Sequence, residues 1–151
     1  MKIIILPILL CCTMLTLAAQ QSTKTAPATK PAQKIVTASQ VNGTWRKKSG
    51  EFKIWALGNQ KLKVEFSGVY EYRNSAGLMA NVGDAHGTAF IEGDTAVFKP
   101  EDIPEGCKIT MRFTDNKLVV EQEGECEFGR HVTAQGTYRK ASKGKPKFEE
   151  R

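Results

Sequence analysis

The chain has 151 residues with 22 Lys and Arg against 16 Asp and Glu, a formal net charge of +6, and two histidines. That length suits one small domain, and the modest positive charge falls short of the dense basic patch of a nucleic-acid binder. Two histidines also leave little for a zinc site, which takes three or four ligands.

Lys2 precedes an almost wholly apolar run from Ile3 to Leu17, and Leu17-Ala18-Ala19 offers small residues before Gln20. The pattern predicts a signal peptide over 1–19, cleaved on export to the periplasm or the medium. An apolar run of about 15 residues is shorter than the roughly 20 that span a bilayer, which argues against a stable membrane span. Cleavage would leave 21 Lys and Arg (22 less Lys2) against 16 Asp and Glu, a net of +5.

Residues 20–40 are rich in Thr, Ala, Gln, Lys and Pro, and their first large apolar side chains are Ile35 and Val36. So little apolar surface does not offset chain entropy, and a disordered tether is expected there. The folded domain is expected over 41–141, followed by a basic disordered tail over 142–151 containing Lys143, Lys145 and Lys147.

Within the domain, apolar and polar residues alternate, and Gly, Asn and Asp recur at intervals of about ten residues, the pattern of antiparallel β structure. In Lys61-Leu62-Lys63-Val64-Glu65-Phe66 the alternation puts Leu62, Val64 and Phe66 on one face and charge on the other. Eight strands are expected at about 43–48, 51–57, 61–72, 85–92, 95–99, 107–113, 117–123 and 132–140. Several turns are short, centred on Ser49-Gly50, Gly58-Asn59-Gln60, Gly93-Asp94 and Asp115-Asn116. Short turns make sequence neighbours spatial neighbours, so the expected fold is all-β, a small antiparallel up-and-down barrel of about eight strands. An open β-sandwich is the alternative.

The same alternation selects candidate contact residues. If Phe52, Ile54 and Ala56 point inward, Trp55 and Leu57 point outward between Lys53 and Lys63, a candidate surface contact. Residues 73–84 read as the longest irregular stretch of the domain, and Leu78, Met79 and Val82 as a candidate lid over the barrel mouth. Trp45, Phe52, Phe66, Met111, Phe113 and Tyr138 are large enough to fill the interior of so short a barrel. A filled barrel binds with its surface, whereas a hollow one could carry a small apolar ligand.

Asp84-Ala85-His86 places a carboxylate and an imidazole on one side of a strand, but two ligands do not make a metal site. His131 lies in a loop after Gly129-Arg130, and no nucleophile elbow or phosphate-binding loop accompanies either histidine. No catalytic residue, metal or cofactor is expected.

Cys107 and Cys126 are the two cysteines beyond the apolar leader. A two-residue turn at Asp115-Asn116 pairs positions whose numbers sum to 231, so Phe113 faces Leu118, Met111 faces Val120 and Lys108 faces Glu123. Cys107 then falls opposite Gly124, one diagonal step from Cys126, and a disulfide across the open end of the hairpin is expected.

Two resemblances accompany this reading. Gly43-Thr44-Trp45 at the first strand, with Arg139 in Gly136-Thr137-Tyr138-Arg139 at the last, resembles the lipocalin and avidin (calycin) group of eight-stranded barrels. The resemblance implies that Trp45 packs at the closed end and that the Arg139 guanidinium lies across it. The stretch from Gly106-Cys107 through Leu118-Val119-Val120 to Glu125-Cys126, Phe128-Gly129 and Thr133 to Tyr138 is similar to a module of exported bacterial proteins. In some of those it follows a helical region similar to lysozyme-inhibitor-like secreted proteins, which has no counterpart here, so no functional residue carries over. The sequence thus points to an exported, non-enzymatic binding module of the cell envelope. It would recognise an unidentified protein or envelope component, in an inhibitor-like role or otherwise, with a lipocalin- or avidin-like carrier as the alternative.

Overall fold

The structure is a computed structural model that describes residues 35–101, 103 and 105–150. The expected signal peptide and most of the expected tether lie outside the described residues. The strands are β1 (Gly43–Lys47), β2 (Gly50–Gly58), β3 (Lys61–Asn74), β4 (Gly77–Glu92), β5 (Thr95–Phe98), β6 (Lys108–Thr114), β7 (Lys117–Glu123) and β8 (Gly136–Ser142). Each pairs antiparallel with its sequence neighbours, and β8 returns to β1, closing an up-and-down barrel. Closure leaves the sandwich alternative without support.

Period-two alternation directs the closure. Trp45, Phe52, Phe66, Met111, Phe113 and Tyr138 are each 0–1% exposed, so the interior is filled by side chains. Burying each such side chain contributes about 1.5–3 kcal/mol. Phe52 lies 4.9 Å from Phe66 and edge-on to Tyr138 at 5.0 Å, while Trp45 stands edge-on to Phe113 at 5.7 Å, geometries that suit the aromatic quadrupole.

The β6–β7 hairpin has the expected register, with Lys108 opposite Glu123, Met111 opposite Val120 and Phe113 opposite Leu118. The Lys108 ammonium reaches the Glu123 carboxylate at 2.7 Å. Cys107 and Cys126 form the disulfide, their Cα atoms 4.9 Å apart. Gly124 allows the crossing, because a Cβ there would lie 1.9 Å from the Gly106 carbonyl oxygen, and its φ of +77° favours glycine.

The two ends of the barrel differ. At one, short turns meet the four-residue helix α1 (Ala38–Val41), whose start is tied by the Thr37 N–H donating to Gln40 Oε1 at 2.8 Å. The Val36 N–H donates to Gly93 O at 3.1 Å, and the Val36 side chain packs against the core. The folded unit therefore includes Val36, ahead of the expected tether boundary at 40. The half-buried Val36 side chain finds a place against the core that composition alone did not reveal.

At the other end, residues 124–135 form a plug instead of the start of a strand. Phe128, Val132 and Ala134 are buried, and Phe128 packs 5.1 Å from Phe66. The Tyr138 hydroxyl donates to Ala134 O at 2.6 Å. The Lys47 ammonium donates to Thr133 O at 3.2 Å and Gln135 O at 2.5 Å.

Two further expectations are corrected. Residues 73–84 are not an irregular loop: β3 and β4 continue in register from Lys61↔Phe90 to Asn74↔Gly77. The turn is tight because Asn74 Oδ1 accepts the Ala76 N–H at 2.8 Å, an Asx-type closure. Nor is the chain after Ser142 a loose basic tail. Lys63 lies 4.6 Å from the Phe148 ring, and the Glu149 N–H donates to Glu65 Oε1 at 2.8 Å, so an aromatic and a backbone donor anchor it on the outside of β2 and β3.

Candidate functional site

Beyond the barrel proper, β3 and β4 project as a two-stranded ribbon. The β2–β3 pairing ends at Gly50↔Gly68, with the Val69 N–H donating to Ser49 O at 3.0 Å, so residues 69–74 and 77–82 extend past β2. Period two carries the core face of β3, Leu62, Val64 and Phe66, onward through Gly68 to Tyr70 and Tyr72. Their partners on β4 are Asn81 and Met79. The opposite face carries the Val69↔Val82, Glu71↔Ala80 and Arg73↔Leu78 pairs.

The plug supports the base of the ribbon. A Cβ at Gly83 would lie 1.9 Å from Phe128 O, so only glycine lets the plug backbone come this close. The Asn81 side-chain amide donates to Arg130 O at 2.7 Å. His131 takes φ of +64°, a left-handed conformation that histidine adopts more readily than most residues. The Val132 N–H donates to Gly129 O at 3.0 Å across it.

These contacts place the His131 ring 5.0 Å from Tyr70, which lies 6.2 Å from Tyr72 with the two tyrosine rings 23° from parallel. Tyr70, Tyr72, Asn81, Arg130 and His131 line a solvent-facing groove of about 290 Å³. Two tyrosine rings, an imidazole, an asparagine and an arginine therefore line one small concavity.

The expected site residues fall in different places. Leu78 and Val82, 64% and 74% exposed, lie on the outer face of the ribbon, and Met79 on its inner face beside Tyr72. None covers a barrel mouth, because extended pairing holds them in strands and the plug closes that end. Trp55 points outward as expected but is half-buried, with Lys145 5.8 Å from its ring. Leu57 stays 56% exposed.

Trp45 is fully buried, and its Nε1–H donates to Val41 O at 2.9 Å. Arg139, the candidate partner, does not lie across it. Arg139 is exposed and stands opposite Arg46 and Lys117. The cation over the indole is Lys140, 4.4 Å from the ring and donating to Ser39 O at 3.1 Å and Gln40 O at 2.5 Å. Parity explains the exchange, since Tyr138 points inward and residue 140 shares its side of the strand. Burial, then the charge of Lys143, lowers the Lys140 pKa below the usual lysine range. At the opposite end, burial lowers that of Lys47 and raises that of Tyr138.

His86 stands opposite Glu65, and His131 belongs to the ribbon groove. Among the described residues no group of three or more His, Cys, Asp or Glu is placed to hold a metal ion, and no helix is long and apolar enough to cross a membrane. Comparison with family models, with curated proteins and with solved structures finds no match. Fold and site define a disulfide-stapled, eight-stranded antiparallel barrel, filled within and carrying an aromatic groove at its plugged end.

Proposed function

We propose that the protein is a non-enzymatic binding module of the cell envelope that engages its partner through the β3–β4 ribbon. The observation that carries this reading is the exposure of Leu78 and Val82 on one face of a ribbon projecting from a sealed barrel. Exposed apolar side chains gathered on one such element favour a contact surface. The filled interior favours surface binding over the carrier alternative, since Trp45, Phe52, Phe66, Met111, Phe113 and Tyr138 occupy it. A disulfide suits an oxidising compartment, in keeping with export to the periplasm or the medium. An inhibitor-like role is one form such recognition would take, and the calycin likeness concerns the barrel start alone.

The test is site-specific photo-crosslinking in cells producing the full chain. A crosslinker at Val82 should give a discrete adduct, while one at the exposed outer residue Arg112 on β6 should not. Equal adducts from both positions, or none from Val82, would overturn the reading.

A further inference from the structure

We infer that the groove beside the ribbon takes a carboxylate-bearing sugar ring, the pyranose stacking on Tyr70 and Tyr72 while its carboxylate pairs with Arg130. The inference deepens the binding-module reading above and rests on it.

The ring arrangement comes first. Tyr70 and Tyr72 are two residues apart on one face of β3, with their rings 23° from parallel, and His131 tilts towards them at 5.0 Å from Tyr70. Aromatic faces are electron-rich, and the C–H-lined face of a pyranose presents the flat, weakly positive surface they attract. A groove of about 290 Å³ has room for one such ring.

Charge narrows the class. A quaternary ammonium would also suit tyrosine faces, but Arg130 lines the same groove and repels a cation. A nucleic-acid strand stacks bases on aromatics too, yet it needs a track of cations along its phosphates. One guanidinium serves one carboxylate, which it can hold through two parallel N–H bonds.

The polar groups agree. The Asn81 amide nitrogen is committed to Arg130 O, so its carbonyl oxygen is the group it offers to a hydroxyl. Arg130 and His131 are held by the left-handed turn at His131 and by the close approach of Phe128 to Gly83, so the backbone of this wall is set before a ligand arrives.

The experiment is an NMR titration of the full folded chain with tri-galacturonate and, in parallel, with uncharged cellotriose. Tri-galacturonate should shift the amide signals of Tyr70, Tyr72 and His131, and cellotriose should bind about tenfold more weakly through loss of the charged contact. Arg130→Gln, at an exposed position, should erase the difference between the two sugars, and Tyr72→Ala should weaken both. Equal binding of the two sugars by the unaltered protein would overturn the assignment of Arg130. Shifts for neither sugar, alongside a persisting Val82 adduct, would overturn the sugar assignment and leave the binding-module reading standing. Loss of both would bring down the two together.

Discussion

The two ends of this barrel are closed by different physical means. At the α1 end closure is local and polar: Trp45 donates to Val41 O while Lys140 spans the indole and the helix carbonyls of Ser39 and Gln40. At the ribbon end it is long-range and covalent, with a twelve-residue connection, 124–135, folded inward on Phe128 and Val132 and fastened where Cys126 meets Cys107. Short turns leave little chain to display, whereas long connections both seal the core and build a groove. Two side chains and three carbonyls suffice for the first task, and the second uses a crosslink.

The largest expected effect breaks the ribbon end. Cys107→Ala with Cys126→Ala removes a bridge between positions separated by 19 in sequence, which should cost about 3 kcal/mol. Hydrogen exchange should lose protection first over 124–135, with β1 and β2 holding longest. Uniform loss across the barrel would show that the two ends are not independent.

A smaller effect tests the α1 end. Lys140→Met should cost about 1–2 kcal/mol in denaturant unfolding, since it removes a cation over an indole and two carbonyl contacts. Arg139→Met should stay within about 0.5 kcal/mol, as for an exposed position away from such features. The reverse order would restore Arg139 as the barrel-closing residue.

The smallest effect is set by pH. Burial favours the neutral Tyr138 phenol, so its folded pKa lies above the unfolded value of about 10. Its contribution is present below that value and lost as pH climbs from it towards the folded pKa, because the unfolded chain gives up the proton first. Thermal melts between about pH 9 and 11 should fall more steeply for the unaltered protein than for Tyr138→Phe. That variant should begin about 1 kcal/mol less stable for want of the bond to Ala134 O.

Much of the barrel was legible from alternation. Leu62, Val64 and Phe66 were placed inward, the pairing of Lys108 with Glu123 followed from a two-residue turn, and the disulfide followed from that register. The groove was not legible as a unit, because Tyr70 and Tyr72 meet Arg130 and His131 only through folding of the plug. Asn74, Gly77 and Gly83 read as loop signals, but Asn74 and Gly77 close a tight turn and Gly83 admits the Phe128 backbone. The motif resemblance implies arginine at 139, whereas the structure sets Lys140 over the indole, on the same side of the strand as the inward Tyr138. Phe148 looked like part of a charged tail, and its ring found a place beside Lys63 that no local pattern encodes.

The docking of Val36 onto Gly93 also gives the molecule a polarity. The chain arriving from its N-terminal side joins the barrel at the α1 end, while the ribbon and its groove stand at the opposite pole. A support coupled near Ile35 should leave both faces of the ribbon accessible, whereas one coupled at the Ser75-Ala76 turn should bury them.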